Sequence, residues 1–536
     1  MGAKSSRIAR KPVVVEARRV AAEFDVSAED VRKIAKHFVR RMEDGLSKDG
    51  DTMIPSYVSA LPTGAEKGIC LAVDIGGTNC RVCSVELHGN RTFSIKQTKA
   101  TIPQNLRIGS TSVDLFSFIA REVEKFLKKH YSSKFEAHKA QGRDSPLVVK
   151  ESGQMDHLPL GFTFSFTFQQ TAIDRGIMAR WDKGFDIPDT IGKDVCALLQ
   201  DEIDKLNMPV RVTALANDTV GTLMARAYTS PENGLSILGA VFGTGTNGAY
   251  VEKMRNVTKL SQPEGFGEDM IINTEWGSFD ETLVVLPSTP YDQDLDKANI
   301  HPGEQMLEKR VSGMYLGELF RLTLLNIMAR PGLGLFKSSS KSTLPKDSPL
   351  YKPYGLDTSV MSTIEADQSS LLSGTRRCLE KEFGVSRASL EDAAVVKIIA
   401  QAIGRRAARL SGAAIAAVVI KTGRLVDSSE NPEYLDIGVE GSLVEHYPGF
   451  EDNIRSALRE IQEIGTTGEK RIRFGLAKDG SGVGAALIAM VADNQKALAV
   501  EPIRTGAIEN TPKSLDIIHE TALSRNGAIG TNATVA

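Results

Sequence analysis

Asn217-Asp218 closes an apolar strand pattern, Arg211–Ala216, and opens a helical one, Asp218–Arg226. A carboxylate at such a junction is rigidly held and half out of water, which suits a general base. An isolated Asp there is usually only an N-cap, so the reading depends on its company. Ser165, Lys183, Asn247, Asn273, Glu275 and Glu308 all lie in apolar or glycine-rich surroundings. Carboxylates, amides and a hydroxyl converging on one cleft suit a polyhydroxyl ligand, because each hydroxyl needs a donor and an acceptor.

A second set of residues reads as phosphate chemistry. Asp74-Ile75-Gly76-Gly77-Thr78-Asn79 recurs as Phe242-Gly243-Thr244-Gly245-Thr246-Asn247, aligning Gly77, Thr78 and Asn79 with Gly245, Thr246 and Asn247. Glycine lets backbone N–H groups close on an anion, and Thr hydroxyls add donors. One such turn alone is simply a hairpin; two matched turns read as two lobes clamping one nucleotide. The second copy fits G-x-G-x-x-G, but a dinucleotide site requires a helix next, and Ala249-Tyr250-Val251-Glu252 reads as a strand. No P-loop pattern occurs. Asp74 is placed to hold Mg²⁺ through water, since hard cations prefer carboxylate oxygen. Asp479-Gly480-Ser481 opens a third glycine-rich element before the apolar run Ala485–Ala492, and its free N–H groups suit the nucleoside end of ATP.

The elements that must carry these residues alternate. A helix is predicted from Ser27 to Leu46, a strand over Ile69–Asp74, a glycine turn, a strand to Leu87, and a later strand over Leu235–Phe242. That alternation predicts an α/β protein. Residues 1–20 are expected to be disordered, 132–156 and 337–350 to be exposed excursions, and 495–536 to be a mostly flexible tail. Leu410–Ile420 is eleven residues long, and a bilayer span takes about 20, so it reads as a buried helix.

Composition excludes several classes. The chain has 536 residues, with 65 Lys and Arg against 67 Asp and Glu, a net charge of −2. A balanced chain lacks the basic surplus of a general nucleic-acid binder, and 41% hydrophobic content is enough for a sizeable core. Five cysteines cannot all pair. Cys80 and Cys83 spell C-x-x-C in a β-type run, where an offset of three puts them on opposite faces. The expectation is a reducing, intracellular setting with buried thiols. No secretory signal is seen. Met1-Gly2-Ala3-Lys4-Ser5-Ser6 fits an N-acylation pattern and is followed by Arg7, Arg10 and Lys11, two weak signals for lipid-mediated membrane contact.

Over roughly residues 25–493 the chain resembles the fungal-type hexokinase and glucokinase family. LAVDIGGTNCRV resembles the family's first phosphate element, LGFTFSFTFQQT its sugar loop, RWDKGFDIP its Lys segment and ALANDTVGTLMA the segment with the catalytic Asp. FGTGTNGAYVE resembles the second phosphate element. INTEWGSFD and GEQMLEKRVSGMYLGEL resemble the sugar-carboxylate segments, and RRAARLSGAAIAAVV and DGSGVGAALIA the interlobe and C-terminal helices.

The resemblance implies a two-lobed, actin-like (ribonuclease-H-like) ATPase fold with duplicated lobes around a central cleft. It implies a large lobe of 25–68 and 218–480, and a small lobe of 69–217 and 481–494. A flexible basic segment, 1–24, would precede them. The implied activity is ATP- and Mg²⁺-dependent phosphorylation of a hexose (glucose, with fructose or mannose) at the 6-hydroxyl. Asp218 is then the base. Ser165, Phe166, Lys183, Asn217, Asn247, Asn273, Glu275 and Glu308 surround the sugar. Gly76, Gly77, Thr78, Asn79, Arg81, Gly243, Thr244, Gly245 and Thr246 lie on the phosphates, Asp479, Gly480 and Ser481 take the nucleoside end, and Asp74 serves Mg²⁺. The implied location is cytoplasmic, with membrane or mitochondrial-surface association as the variant.

Three positions depart from the family pattern. The sugar loop reads Ser165-Phe166-Thr167, with Thr where the family usually has Pro. The Lys segment reads Trp181-Asp182-Lys183-Gly184, with Asp for Thr. Glu440 stands where the family usually has Asp, a change that reads as tolerable. A carboxylate at 182, about 6 Å from Asp218, would repel it by roughly 3 kcal/mol at an effective dielectric near 20. Asp182 and Thr167 together favour, as the alternative, a catalytically weakened sugar sensor. An actin-like chaperone binding no sugar is the third class, and the Asn217, Asp218, Glu275 and Glu308 set argues against it.

Overall fold

The computed structural model describes residues 11–76, 79–109, 111–141, 157–164, 166–181, 184–260, 267–337, 344–425, 434–477 and 479–500. The chain opens with α1 (Pro12–Ala22) and α2 (Ala28–Ser47), then a short strand, β1 (Ile54–Pro55). Next come β2 (Lys67–Ile75), β3 (Asn79–His88), β4 (Phe93–Thr101), α3 (Ser112–His130) and β5 (Leu158–Phe164). The hairpin of β6 (Thr167–Ala172) and β7 (Arg175–Arg180) precedes α4 (Val195–Lys205), β8 (Val210–Ala216) and α5 (Asp218–Thr229). Then follow β9 (Gly234–Phe242), β10 (Thr246–Lys253), β11 (Asp269–Asn273) and α6 (Gly313–Ala329). The last of these elements are α7 (Leu390–Thr422), β12 (Tyr434–Glu440), β13 (Ile472–Leu476) and α8 (Gly480–Val500).

Among the described residues the strands form one sheet per lobe and a separate hairpin. The smaller sheet runs β4-β3-β2-β5-β8 and the larger β1-β11-β10-β9-β12-β13. Each sheet mixes an antiparallel hairpin with parallel neighbours: β2 pairs β3 antiparallel and β5 parallel, and β9 pairs β10 antiparallel and β12 parallel. That repeated layout is the duplicated, two-lobed α/β architecture the sequence predicts. Each lobe has its own core, and a third core joins them. The joining core takes Ala72 and Cys83 from the small sheet, Ile271 from the large one, Val220 and Leu223 from α5, and Ala485 from α8.

Helices α5 and α8 meet where side chains are absent. A Cβ on Gly484 would lie 2.0 Å from the Gly221 carbonyl oxygen, and one on Gly161 of β5 would lie 2.1 Å from that of Ala485. Only hydrogen fits at either place, so backbone approaches backbone where the lobes join.

Local chemistry accounts for the helices the pattern predicts. Ser27 and Asp30 form a capping box at the start of α2, whose Val31, Ile34, Ala35, Phe38 and Met42 are buried at three-to-four spacing. The run Leu410–Val419 is buried inside α7, which ends on Gly423 at φ 63°. No helix among the described residues is long and apolar enough to cross a membrane. Cys80 and Cys83 lie on opposite faces of β3, in different cores, and burial pushes both thiols up to about 12.

Four expectations about the irregular segments are corrected. Residues 12–22 form α1, not a disordered lead: Pro12 starts the helix, and Val13, Ala17 and Val20 are buried on one face. The basic residues between them masked that stripe. The excursion expected over 132–156 begins with a helix, Ser132–Gln141, that buries Phe135. In the stretch 337–350, Ser348 and Leu350 are buried. Helix α8 continues to Val500, past the expected start of the tail at 495. Residues 1–10, 142–156 and 501–536 lie outside the described residues, and with them the acylation pattern and most of the tail.

Candidate active site

Asp218 is the first residue of α5. The capping duty falls to Asn217, whose Oδ1 accepts from the Thr219 N–H at 2.9 Å and from the Thr219 hydroxyl at 2.6 Å. Asp218 Oδ1 also accepts from the Thr219 N–H, at 2.8 Å. With the cap supplied next door, the half-buried Asp218 carboxylate is not needed to start the helix. The α5 first turn lies on β9 at Gly239, where a Cβ would come within 2.6 Å of the Thr219 carbonyl oxygen. Gly239 pairs with Ala249, two residues beyond Asn247, and this packing brings Asp218 to the end of β10.

The predicted sugar residues of the large lobe form one network there. Asn247 donates from Nδ2 to Asn273 Oδ1 at 2.9 Å and to Glu275 Oε1 at 3.1 Å, and Asn273 Nδ2 donates to Glu275 Oε1 at 2.7 Å. Glu275 holds a left-handed backbone, φ 48° and ψ 45°, a conformation that costs a non-glycine residue about 1–3 kcal/mol. Glu308 Oε2 accepts from the Thr246 N–H at 3.0 Å. Trp276 braces the group: its Nε1 donates to Thr246 Oγ1 at 3.0 Å, and its ring lies where a Cβ on Gly248 would sit. Asn247, Asn273, Glu275 and Glu308 thus form one patch of carboxylates and amides with donors and acceptors side by side.

On the small lobe the ring of Phe166 is only 6% exposed, within 5 Å of the Phe164, Trp181 and Phe185 rings. It belongs to an aromatic cluster beside the loop expected to meet the sugar. Thr167 is exposed at the start of β6, paired with Arg180. Ser165, Asp182 and Lys183 lie outside the described residues, as do Gly77 and Thr78 of the first turn.

Both glycine turns close β-hairpins, as the strand reading of Ala249–Glu252 predicts, but the two hairpins are not in the same register. The first turn closes with the Gly76 N–H donating to the Asn79 carbonyl at 3.2 Å, and Ile75 pairs Cys80. The second is tighter: the Gly243 N–H donates to the Gly245 carbonyl at 3.0 Å, and Phe242 pairs Thr246. The carbonyls of Gly243 and Thr244 are taken by the N–H groups of Gly313 and Met314 at the start of α6, at 2.7 and 3.1 Å. Matched letters therefore give hairpins of different register, and the start of α6 holds the second turn.

The third glycine element lies against the first turn. Asp479, at φ 53°, accepts from Arg81 Nη1 at 3.2 Å, and the Ser481 hydroxyl lies 3.3 Å from Asp74 Oδ2. A Cβ on Gly480 would lie 2.7 Å from Glu440 Oε2. Glu440, which the sequence marks only as a tolerable departure, is buried here: burial first, and then the charges of Asp218, Asp479 and Asp74, push its carboxyl up to about 7 against the Thr222 hydrogen bond. Glu440 and Thr222 are 218 positions apart in the chain, so no local pattern could have paired them.

The donor set fits Mg²⁺. Among the described residues no three His, Cys, Asp or Glu side chains form a metal cage. A single carboxylate beside a hydroxyl, as at Asp74 and Ser481, is what an ion coordinated mainly by water and phosphate requires.

A duplicated α/β fold with a glycine hairpin in each lobe, and a carboxylate opening the helix between them, defines a phosphotransferase of the two-lobed, actin-like ATPase class. Family models described as hexokinase match residues 16–228 and 237–491. A glucokinase of Aspergillus niger is 49% identical over 490 residues, 90% of this chain and 97% of that protein. Glucokinase-1 of Saccharomyces cerevisiae is 40% identical over 514 residues, 90% of this chain and 98% of that protein. The hexokinase of Schistosoma mansoni, solved as a complex with glucose, superposes with a TM-score of 0.72 at 32% identity, covering 89% of this chain and 99% of that one. The chain belongs to the hexokinase family.

Proposed function

We propose that the protein transfers the γ-phosphoryl group of ATP to the 6-hydroxyl of a hexose, with Asp218 as general base. The observation that carries this reading is the Asn247, Asn273, Glu275 and Glu308 patch, on the same sheet against which the first turn of α5 packs. Each donor in it faces an acceptor at hydrogen-bond distance, and a sugar hydroxyl inserted there finds both. Asp218 takes the proton of the attacking hydroxyl, and Ser165, Lys183 and Asn217 complete the sugar's surroundings. The turns 76–79 and 243–246 supply N–H groups to the phosphates, with Arg81 beside the first. Asp479, Gly480 and Ser481 lie toward the nucleoside. Asp74 holds Mg²⁺ through water, and that ion, when bound, neutralises charge on the phosphates.

The named relatives are glucokinases and hexokinases at 39–49% identity, which favours catalysis over a sensor without turnover. We place the lobe boundary at 217–218 and at 480–481. Residues 12–24 belong with the large lobe, since Val13, Ala17 and Phe24 enter its core.

Purified protein given ATP, Mg²⁺ and millimolar glucose, fructose or mannose is expected to form hexose 6-phosphate in a coupled assay. No turnover with any of the three sinks the reading. Glu275→Gln is expected to weaken glucose binding about ten- to hundredfold, the value of one hydrogen bond to a charged group. Calorimetric titration with glucose measures this without turnover, and an unchanged affinity removes Glu275 from the sugar site.

A further inference from the structure

Gln170 stands on β6, and its side chain reaches three parts of the chain at once. Its Nε2 donates to the carbonyls of Ser56 at 3.1 Å, Ala172 at 3.2 Å and Leu215 at 3.1 Å. All three partners are acceptors, so the amide turns its N–H₂ end to them and shares two hydrogens among three oxygens. Those carbonyls belong to different parts of the fold. Ala172 ends β6, and Leu215 lies in β8, just before Asn217 and Asp218. Ser56 opens the linker between β1 of the larger sheet and β2 of the smaller.

Each contact has others beside it. β8 is an edge strand of its sheet, and the β6–β7 hairpin covers its outer side at Leu215. There the Leu215 N–H donates to the Ile173 carbonyl at 2.7 Å, while the Leu215 carbonyl accepts from Gln170. The Leu215 side chain fills the space of a Cβ on Gly176, which would come within 2.3 Å of it. Ser56 is held from the other side by the larger sheet. Its N–H at 3.1 Å and its hydroxyl at 2.7 Å both donate to the Ile271 carbonyl of β11. The next residue, Tyr57, takes a left-handed backbone, φ 61°, and the chain turns away at once. Two passages of the chain between the sheets, 56–66 and 217–233, thus begin within two residues of a carbonyl that Gln170 holds.

We propose that Gln170 is a positioning residue for phosphoryl transfer. Its amide pins the hairpin that follows the sugar loop onto the strand that ends at the base, and pins both to the linker between the lobes. The sugar loop, the strand before Asp218 and the start of the linker then keep one spacing, which sets the 6-hydroxyl against the Asp218 carboxylate. Gln170 itself touches no reacting atom. The inference rests on Asp218 being the base.

The test measures kcat and glucose affinity apart. Gln170→Met keeps the length of the side chain and removes both hydrogens. It is expected to lower kcat at saturating glucose and ATP about tenfold, since small misplacements of a reacting group cost up to about 10²-fold. Its glucose Kd, from calorimetric titration, is expected to move by less than about threefold, because the Asn247, Asn273, Glu275 and Glu308 patch keeps its bonds. Gln169→Met, on the exposed face of β6, is expected to leave kcat unchanged.

Hydrogen exchange in the absence of substrate reads the clasp directly. The Leu215 amide is expected to exchange at least about tenfold faster in Gln170→Met than in the wild type, because its bond to Ile173 depends on the seated hairpin. The proposal is overturned if Gln170→Met keeps kcat within about twofold of the wild type, or if glucose Kd rises as much as kcat falls. Unchanged exchange at Leu215 overturns it as well. Failure of the kinase reading looks different: no hexose turnover in the wild type, with the exchange response of Gln170→Met still present. If Gln170→Met does not fold, Gln170→Asn, whose amide stops one methylene short of the three carbonyls, is judged by the same criteria.

Discussion

Asp218→Asn is expected to lower kcat for hexose phosphorylation by about 10²–10⁴-fold, the share that a positioned general base contributes. The change keeps shape and removes the proton acceptor. Folding should be untouched, because the cap of α5 is the Asn217 side chain and the Thr222 hydroxyl bonds the Asp218 main chain. Glucose affinity should shift little, since the patch of Asn247, Asn273, Glu275 and Glu308 remains intact. Rapid-quench turnover with a parallel glucose titration separates the two effects. A variant within threefold of wild-type kcat removes Asp218 from the base role, and a variant with lost glucose affinity makes it a binding residue instead.

Arg406→Leu is expected to destabilise the large lobe by about 3–5 kcal/mol, the cost of leaving a buried carboxylate without its partner. Arg406, on the buried face of α7, clasps Asp292 with two hydrogen bonds of 2.7 and 2.8 Å, and both side chains are essentially out of solvent. Burial acts to raise the Asp292 carboxyl, but the Arg406 charge and hydrogen bonds prevail and hold it at about 2, below its ordinary 3.8. Because the folded value is the lower one, this pair's contribution is full above pH 4 and is lost as pH falls toward 2. The variant's deficit in urea unfolding should therefore be larger at pH 7 than at pH 3. Adding Asp292→Leu should recover much of it, since replacing both partners removes the stranded charge. A deficit under 1 kcal/mol at pH 7 contradicts this account.

How much of this was legible beforehand differs by residue. The carboxylate at the start of α5, the two hairpins and the helix starts were readable because each is encoded locally: Asn217-Asp218 between a strand and a helix pattern, Gly-Thr-Asn between apolar runs, Ser27 three residues before Asp30. Asn247, Asn273, Glu275 and Glu308 could be named as polar residues in apolar settings. Their mutual hydrogen bonds could not, since these depend on β10 lying beside β11. The α1 stripe was missed because arginines interrupt it, and the enclosure of the Phe166 ring is visible only in the packing.

Local sequence sets the α/β class, the repeated glycine turns, the acid at the helix start and the balanced charge. Each of these follows from periodicity, turn chemistry or residue type within a dozen positions. Only the tertiary structure decided that the two hairpins differ in register, that α5 and α8 touch through bare glycine backbone, and that Glu440 lies beneath the Asp218 turn. The contact of Glu440 with Thr222 is set by parallel pairing of β12 with β9 and the packing of α5 on β9. The raised Glu440 carboxyl depends on burial and on three neighbouring charges, neither of which is written in any one segment of the chain.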